Sequence, residues 1–294
     1  MAKQTLRLAF FLTIIILLAE LIGGIISHSL ALLSDAGHVL TDIFALGLAW
    51  FATVQAERPA NARKTFGYHR VGILAALVNA LTLIFVVLAI VWEAVQRVLH
   101  PEPIQPLVMF LSAGIGIIVN LYIGFGLHKE HNNLNVKAAA LHVFGDVAAS
   151  VGVIIAGLFV LLTHWTPVDP LLSIGIAALI AFGAWHILQE TIDILLEATP
   201  KNIDMPILID DMKSIAGVID IHDLHVWSIG NGICALSCHA LIDDLPPSQS
   251  TSILQMLEAM LLKKYQIGHT TIQFESHYEE QYCCVSGLYC QMER

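Results

Sequence analysis

Long apolar runs separated by short polar loops fill the chain as far as Leu195, and then the pattern shortens. Six stretches, residues 6–27, 30–56, 71–99, 106–127, 136–163 and 170–195, are each long enough to cross a bilayer as a helix, which takes about 20 residues. Beyond Ala198-Thr199-Pro200 the periods are those of a soluble domain. Residues 205–216 read as a short amphipathic helix, and 220–229 and 232–242 as strands joined through Gly230-Asn231-Gly232, whose Asn-Gly pair suits a tight turn. Pro246-Pro247-Ser248 opens a helix to about Tyr265, with Ile253, Leu254, Leu257 and Leu261 at helical spacing, and 270–274 is a last strand. The order αββαβ predicts a small α+β sandwich with helices on one face of the sheet. The expected division is a six-helix transmembrane domain over 1–198, a soluble domain over 199–276 and a Cys-containing tail over 277–294 without clear periodicity.

Composition agrees with a membrane protein. The 294 residues are 56% hydrophobic and 13% charged, against roughly 25% charged in a soluble domain. The first apolar run is too long for a cleavable signal and no small-residue cleavage site follows it. Loop cations set the orientation. Lys3 and Arg7 precede the first run, Arg58, Arg63, Lys64 and Arg70 lie between the second and third, and Lys129 and Lys137 lie at the junction of the fourth and fifth, whereas the other side has Arg97. Both termini are therefore expected in the cytoplasm. The net charge of −10 comes mainly from acidic residues after Pro200, and with no basic face the chain is not expected to bind nucleic acid. Cys234, Cys238, Cys283, Cys284 and Cys290 all lie in that region, where a cytosolic setting favours thiols or metal ligands over disulfides.

The informative polar positions lie inside the apolar runs. His38 and Asp42 stand four residues apart in the second run, and His142 and Asp146 repeat the spacing in the fifth. A helix sets i and i+4 on one face. A charged residue at that depth costs about 2.5–3.5 kcal/mol on insertion scales, so such groups usually serve a function. Two imidazoles and two carboxylates match the four-coordinate preference of zinc, and such a set also holds cobalt or cadmium; magnesium and calcium favour more oxygen. Gly145 and Ala149 are small enough to let two helices approach. The bland alternative is that the four residues merely pair as polar contacts between helices. Asp35 extends the stripe one turn from His38, as a lining or hydrogen-bonding group rather than a ligand. Glu20 and Asn120 are also polar at depth, and pairing between helices is their default explanation.

These residues carry a family resemblance. The run His28-Ser29-Leu30-Ala31-Leu32-Leu33-Ser34-Asp35-Ala36-Gly37-His38 with Asp42 resembles the second span of the cation diffusion facilitator transporters. Thr65-Phe66-Gly67-Tyr68-His69-Arg70, Asn79, and His142 with Asp146 are similar to the same family, as are His222-Asp223-Leu224-His225-Val226-Trp227 and Thr270-Thr271-Ile272-Gln273 in the soluble part. The likeness covers nearly the whole chain and is greatest to the zinc-transporting branch, which includes bacterial cobalt–zinc–cadmium resistance proteins. It implies a homodimer of six-helix protomers in the lipid bilayer, each with a cytoplasmic ferredoxin-like α+β domain. It also implies export of divalent metal in exchange for protons, with no organic cofactor. Carried over by position, the transport site is His38, Asp42, His142 and Asp146, and His at position 38 favours zinc over manganese or iron.

The resemblance further implies a regulatory zinc site from His222, His239 and Glu275, with His269 and His277 as lesser candidates. Strand alternation would put His225 on the face opposite His222. Some relatives close such a site with tail cysteines, which makes Cys283 and Cys284 candidates. Relatives with a second site in the loop after span two use Asp and His there; Asn61-Ala62-Arg63-Lys64-Thr65-Phe66-Gly67-Tyr68 is basic, so that site is expected to be absent. His128 and His131 read as a solvated turn, and Trp227 and Phe274 as core. An intramembrane hydrolase would need a motif such as H-E-x-x-H, and His128-Lys129-Glu130-His131 has the wrong spacing. A membrane metal sensor would need no ligands at bilayer depth. A manganese or iron exporter of the same fold is the other alternative. The absence of a His-rich loop points to a bacterial inner membrane.

Overall fold

The computed structural model describes residues 2–128, 134–230 and 232–276, without the side chains of 2–10, 49, 124–128, 134–142 and 144. It divides into two compact units, one built on Met1–Trp50 and Ala75–Leu188, the other on Phe51–Leu74 and the chain from Gln189.

Six long helices follow the apolar runs: α1 (Ala2–Ser27), α2 (Leu30–Ala56), α3 (Val71–Leu99), α4 (Pro106–His128), α5 (Leu134–Thr163) and α6 (Val168–Leu195). Among the described residues, α2 to α6 are long and apolar enough to cross a membrane, and α1 carries a shorter apolar stretch, Phe11–Ser27. Large apolar side chains on their outer faces stay exposed, Phe182 by 81%, as a surface made for lipid requires. α4 packs against both α1 and α5. Ala31 and Leu32 of α2 meet Met109 and Ala113 of α4 and Val153 and Ala156 of α5 in one buried cluster.

The start of α2 is fixed from a distance. Asp169 of α6 is fully buried. Its Oδ1 accepts a hydrogen bond from Ser29 Oγ at 2.6 Å, and its Oδ2 accepts from the backbone N–H of Leu30 at 2.6 Å and of Ala31 at 3.3 Å. A helix leaves its first N–H groups unsatisfied, and a carboxylate at that end is the strongest cap available. The cap comes from another helix, so it ties the first turn of α2 to the first turn of α6.

The second unit contains the α+β domain, with α7 (Met205–Lys213), β1 (Val218–Gly230), β2 (Ile233–Ile242), α8 (Pro247–Tyr265) and β3 (Ile267–Ser276). Asp204 caps α7 by accepting from the Ile207 N–H at 3.2 Å. The sheet order is β1-β2-β3, with β1 and β2 antiparallel and β2 and β3 parallel. The αββαβ order read from the sequence holds. Leu208 and Met212 of α7 and Leu257 and Leu261 of α8 pack with Ile221, Leu224, Leu236 and Ala240 on one face of the sheet, and Phe274 joins that core. The other face is free for polar side chains.

Candidate metal centres

The helical unit brings three of the four intramembrane residues together. His38 Nε2 lies 3.7 Å from Asp42 Oδ2, one turn on along α2, and 3.7 Å from Asp146 Oδ1 on α5. One turn away, Ser150 Oγ of α5 donates to Asp35 Oδ2 of α2 at 3.2 Å. The two helices are thus joined at two successive levels, and numbers rise along α2 as they fall along α5, so they run antiparallel. The cluster is not sealed: the side chains of His38, Asp42 and Asp146 are 25%, 32% and 14% exposed. An imidazole nitrogen and two carboxylates on two helices form a donor set for a borderline-soft divalent ion. His142 lies on α5, and its side chain is outside the described residues. Asp35 faces Ser150, one level from the cluster, in keeping with a supporting role.

A second cluster sits on the open face of the sheet. Glu275 of β3 bridges two histidines: its Oε2 is 3.1 Å from His222 Nε2 of β1, and its Oε1 is 2.8 Å from His239 Nδ1 of β2. One ligand atom from each residue falls within 4.8 Å of the others. The two imidazoles lie edge to face at 5.2 Å, directly opposite each other in the β1–β2 register. Two nitrogens and a carboxylate suit zinc.

Strand alternation misplaced His225. Between His222 and His225 the β1–β2 register slips, so that His222 faces His239 while His225 faces Ser237. Asp223 takes φ of 49° there. This bulge inserts one residue and re-aims the strand, which returns His225 to the face of His222 and leaves Leu224 in the core. It also brings in Asp223, which the sequence reading passed over: its carboxylate is 3.0 Å from His225 Nε2 and 3.7 Å from His239 Nε2. His269 does not join the cluster. It lies six positions before Glu275 on β3, about 20 Å away at the rise of a strand, and its ring meets Phe66 edge-on at 5.3 Å. Cys238 lies in the buried core of the sheet, where burial and then the nearby Asp223 charge push its thiol pKa up to about 12. His277, Cys283, Cys284 and His131 lie outside the described residues, as does the side chain of His128.

Two family models match this chain. The cation efflux transmembrane domain matches residues 6–196, and the cation efflux protein cytoplasmic domain matches residues 200–277. The chain belongs to the cation efflux family. It is 45% identical over 276 residues to "Zinc transporter ZitB" of Pectobacterium atrosepticum, covering 93% of this chain and 85% of that protein. It is 41% identical over 278 residues to the "Cadmium, cobalt and zinc/H(+)-K(+) antiporter" of Bacillus subtilis, covering 93% of this chain and 89% of that one. A solved structure, the metal-bound C-terminal domain of the CzcD transporter from Cuprividus metallidurans, shares 33% identity and covers 25% of this chain and 99% of that chain, with a TM-score of 0.23. The family is one of membrane transporters, not enzymes. Within it, the intramembrane cluster is the candidate transport site of this chain, and the His222–His239–Glu275 cluster belongs to the domain described as cytoplasmic.

Proposed function

We propose that this cation efflux protein exports zinc, and cobalt and cadmium with it, from the cytoplasm in exchange for protons, with His38, Asp42, His142 and Asp146 as the transport site. The observation that carries the reading is the convergence of Asp42 and Asp146 on His38 Nε2 from two helices. Imidazole must be neutral and carboxylate ionised to bind the metal, so entry of the ion displaces protons and its release on the far side lets protons return. An inward proton gradient then drives metal outward by alternating access. The printed names of the relatives, one a zinc transporter and one a cadmium, cobalt and zinc antiporter, support this substrate class.

The same reading gives six membrane spans with α1 as the first, both termini in the cytoplasm, a homodimer, and residence in a bacterial inner membrane. Its domains are 1–198 in the membrane, 199–276 in the cytoplasm and a tail over 277–294. The His222–His239–Glu275 cluster binds zinc as a regulator, because it lies in the domain that matches the family's cytoplasmic domain and not on the apolar helices. Metal uptake into proteoliposomes, run ion by ion with and without a pH gradient, tests the proposal. Zinc accumulation that needs the gradient and is lost in Asp42→Ala supports it; accumulation indifferent to both, or manganese in preference to zinc, contradicts it.

A further inference from the structure

Glu20 sits within α1, which contributes none of the candidate ligands, and is 1% exposed. Neither of its carboxylate oxygens has a hydrogen-bond partner among the described residues. Pairing between helices, the default explanation for a polar residue at this depth, therefore does not account for it. Its Oε1 lies against the backbone of α4 at Gly116: a Cβ there would stand 2.8 Å from Glu20 Oε1 and 3.4 Å from Ser150 Oγ. Any side chain at 116 would displace the carboxyl, so the glycine is the cradle that holds it. Ser150 Oγ in turn donates to Asp35 Oδ2 at 3.2 Å. Glu20 and the Ser150–Asp35 hydrogen bond thus both border the same point of α4, and Asp35 stands one turn from His38.

Among the described residues, Asp35 of α2 and Asp146 of α5 put acidic groups near Glu20. Apart from His128 at its far end, α4 has no ionisable side chain except Tyr122. An ionised carboxylate here would face two acids, with no hydrogen-bond donor among the described residues, an unfavourable setting for a buried charge. A divalent ion held by His38, Asp42 and Asp146 reverses the sign of the local field and favours the ionised form.

We propose that Glu20 is a proton-binding site of the transport cycle, separate from the metal ligands, protonated while the metal cluster is empty and deprotonated when metal binds. The inference rests on the reading of that cluster as the transport site. The step breaks one O–H bond. The proton leaves the Glu20 carboxyl and reaches water through the partly exposed metal cluster. When metal leaves, one proton returns to Glu20. The metal ligands and Glu20 thus share the counter-transported protons.

Proton release on zinc binding, measured with a pH indicator in weakly buffered, purified full-length protein, tests the proposal. Native protein and Glu20→Gln carry the same cytoplasmic cluster, so its contribution cancels in the comparison. Glu20→Gln should release about one proton fewer per zinc bound at the membrane cluster, and Glu20→Asp should restore it. Equal release from native protein and Glu20→Gln overturns the assignment. Should Glu20→Gln fail to fold, infrared difference spectra of native protein decide: zinc should remove a protonated-carboxyl band that shifts in Glu20→Asp, and no such loss overturns the assignment. Asp42→Ala separates the two layers. If it releases as many protons as native protein, the transport-site reading fails; if it does not, while Glu20→Gln matches native protein, the role of Glu20 alone fails.

Discussion

His38 Nε2 of α2 and Asp146 Oδ1 of α5 stand 3.7 Å apart, too far for a good hydrogen bond and close to the separation of two donors across one ion. With metal–nitrogen and metal–oxygen distances of about 2.0–2.2 Å, a tetrahedral zinc holds its ligand atoms roughly 3.3–3.6 Å apart. The pair therefore needs to close only slightly to grip an ion. Replacing the imidazole by a carboxylate, His38→Asp, should shift selectivity from zinc towards manganese or iron, because harder oxygen donors favour harder ions. Competitive uptake of zinc and manganese in proteoliposomes reads this; an unchanged zinc preference would show that His38 does not set it.

The cluster on the sheet should bind metal without carrying transport. Zinc that binds only the folded domain raises the unfolding temperature by mass action. His239→Ala removes the residue facing both Glu275 and Asp223, so the zinc-dependent rise in Tm should shrink, while zinc uptake at saturating metal should persist. Loss of uptake with an unchanged Tm response would reverse the two roles.

The Asp169 cap should matter to the transport helix although it touches no metal ligand. Asp169→Ala strands the N–H groups of Leu30 and Ala31 and the Ser29 hydroxyl. Unsatisfied buried donors cost about 1–3 kcal/mol, and the variant should unfold at lower temperature in detergent. Asp169→Asn, which keeps one acceptor, should lose less. A thermal melt of all three proteins checks the order.

In the soluble domain, hydrogen bonds from Lys264 and then Tyr265 hold the Asp211 carboxyl below its ordinary range. A depressed carboxylate stabilises the fold above its unfolded pKa, about 3.9, and loses that contribution as pH falls through the folded value. Asp211→Asn should therefore lower stability at neutral pH, and the gap to native protein should close on acidification. Denaturation of the full chain at several pH values measures it; a gap that widens towards acid would mean another cause.

The spans of this protein were largely legible because hydropathy alone decides them. α2 and α3 begin and end where the apolar runs do, and the i, i+4 spacing of His38 and Asp42 needs only a helix to bring them side by side. What stayed hidden depends on contacts between distant segments. Asp169 reads as a charge at a loop edge until its partners at Ser29, Leu30 and Ala31 are known. That Glu20 has no hydrogen-bond partner among the described residues is a property of its surroundings, not of its spacing. His225 was misplaced because alternation assumes an unbroken ladder, and the bulge at Asp223, with φ of 49°, adds the one residue that reverses the parity. Its Asp is a residue type that tolerates such a conformation, and was the one local signal on offer. β3 also begins earlier than its apolar core suggests, at Ile267, because pairing with β2 rather than side-chain pattern sets its start.

In the proposed transport cycle His38, Asp42 and Asp146 hold the ion while protons move against it. The most direct measurement is zinc uptake into proteoliposomes of native protein and Asp146→Ala, with the internal pH followed as metal enters. Native protein should import zinc into acidic vesicles while the lumen turns alkaline, and Asp146→Ala should do neither. Zinc entry without a change in lumenal pH, or full activity in Asp146→Ala, would contradict the account.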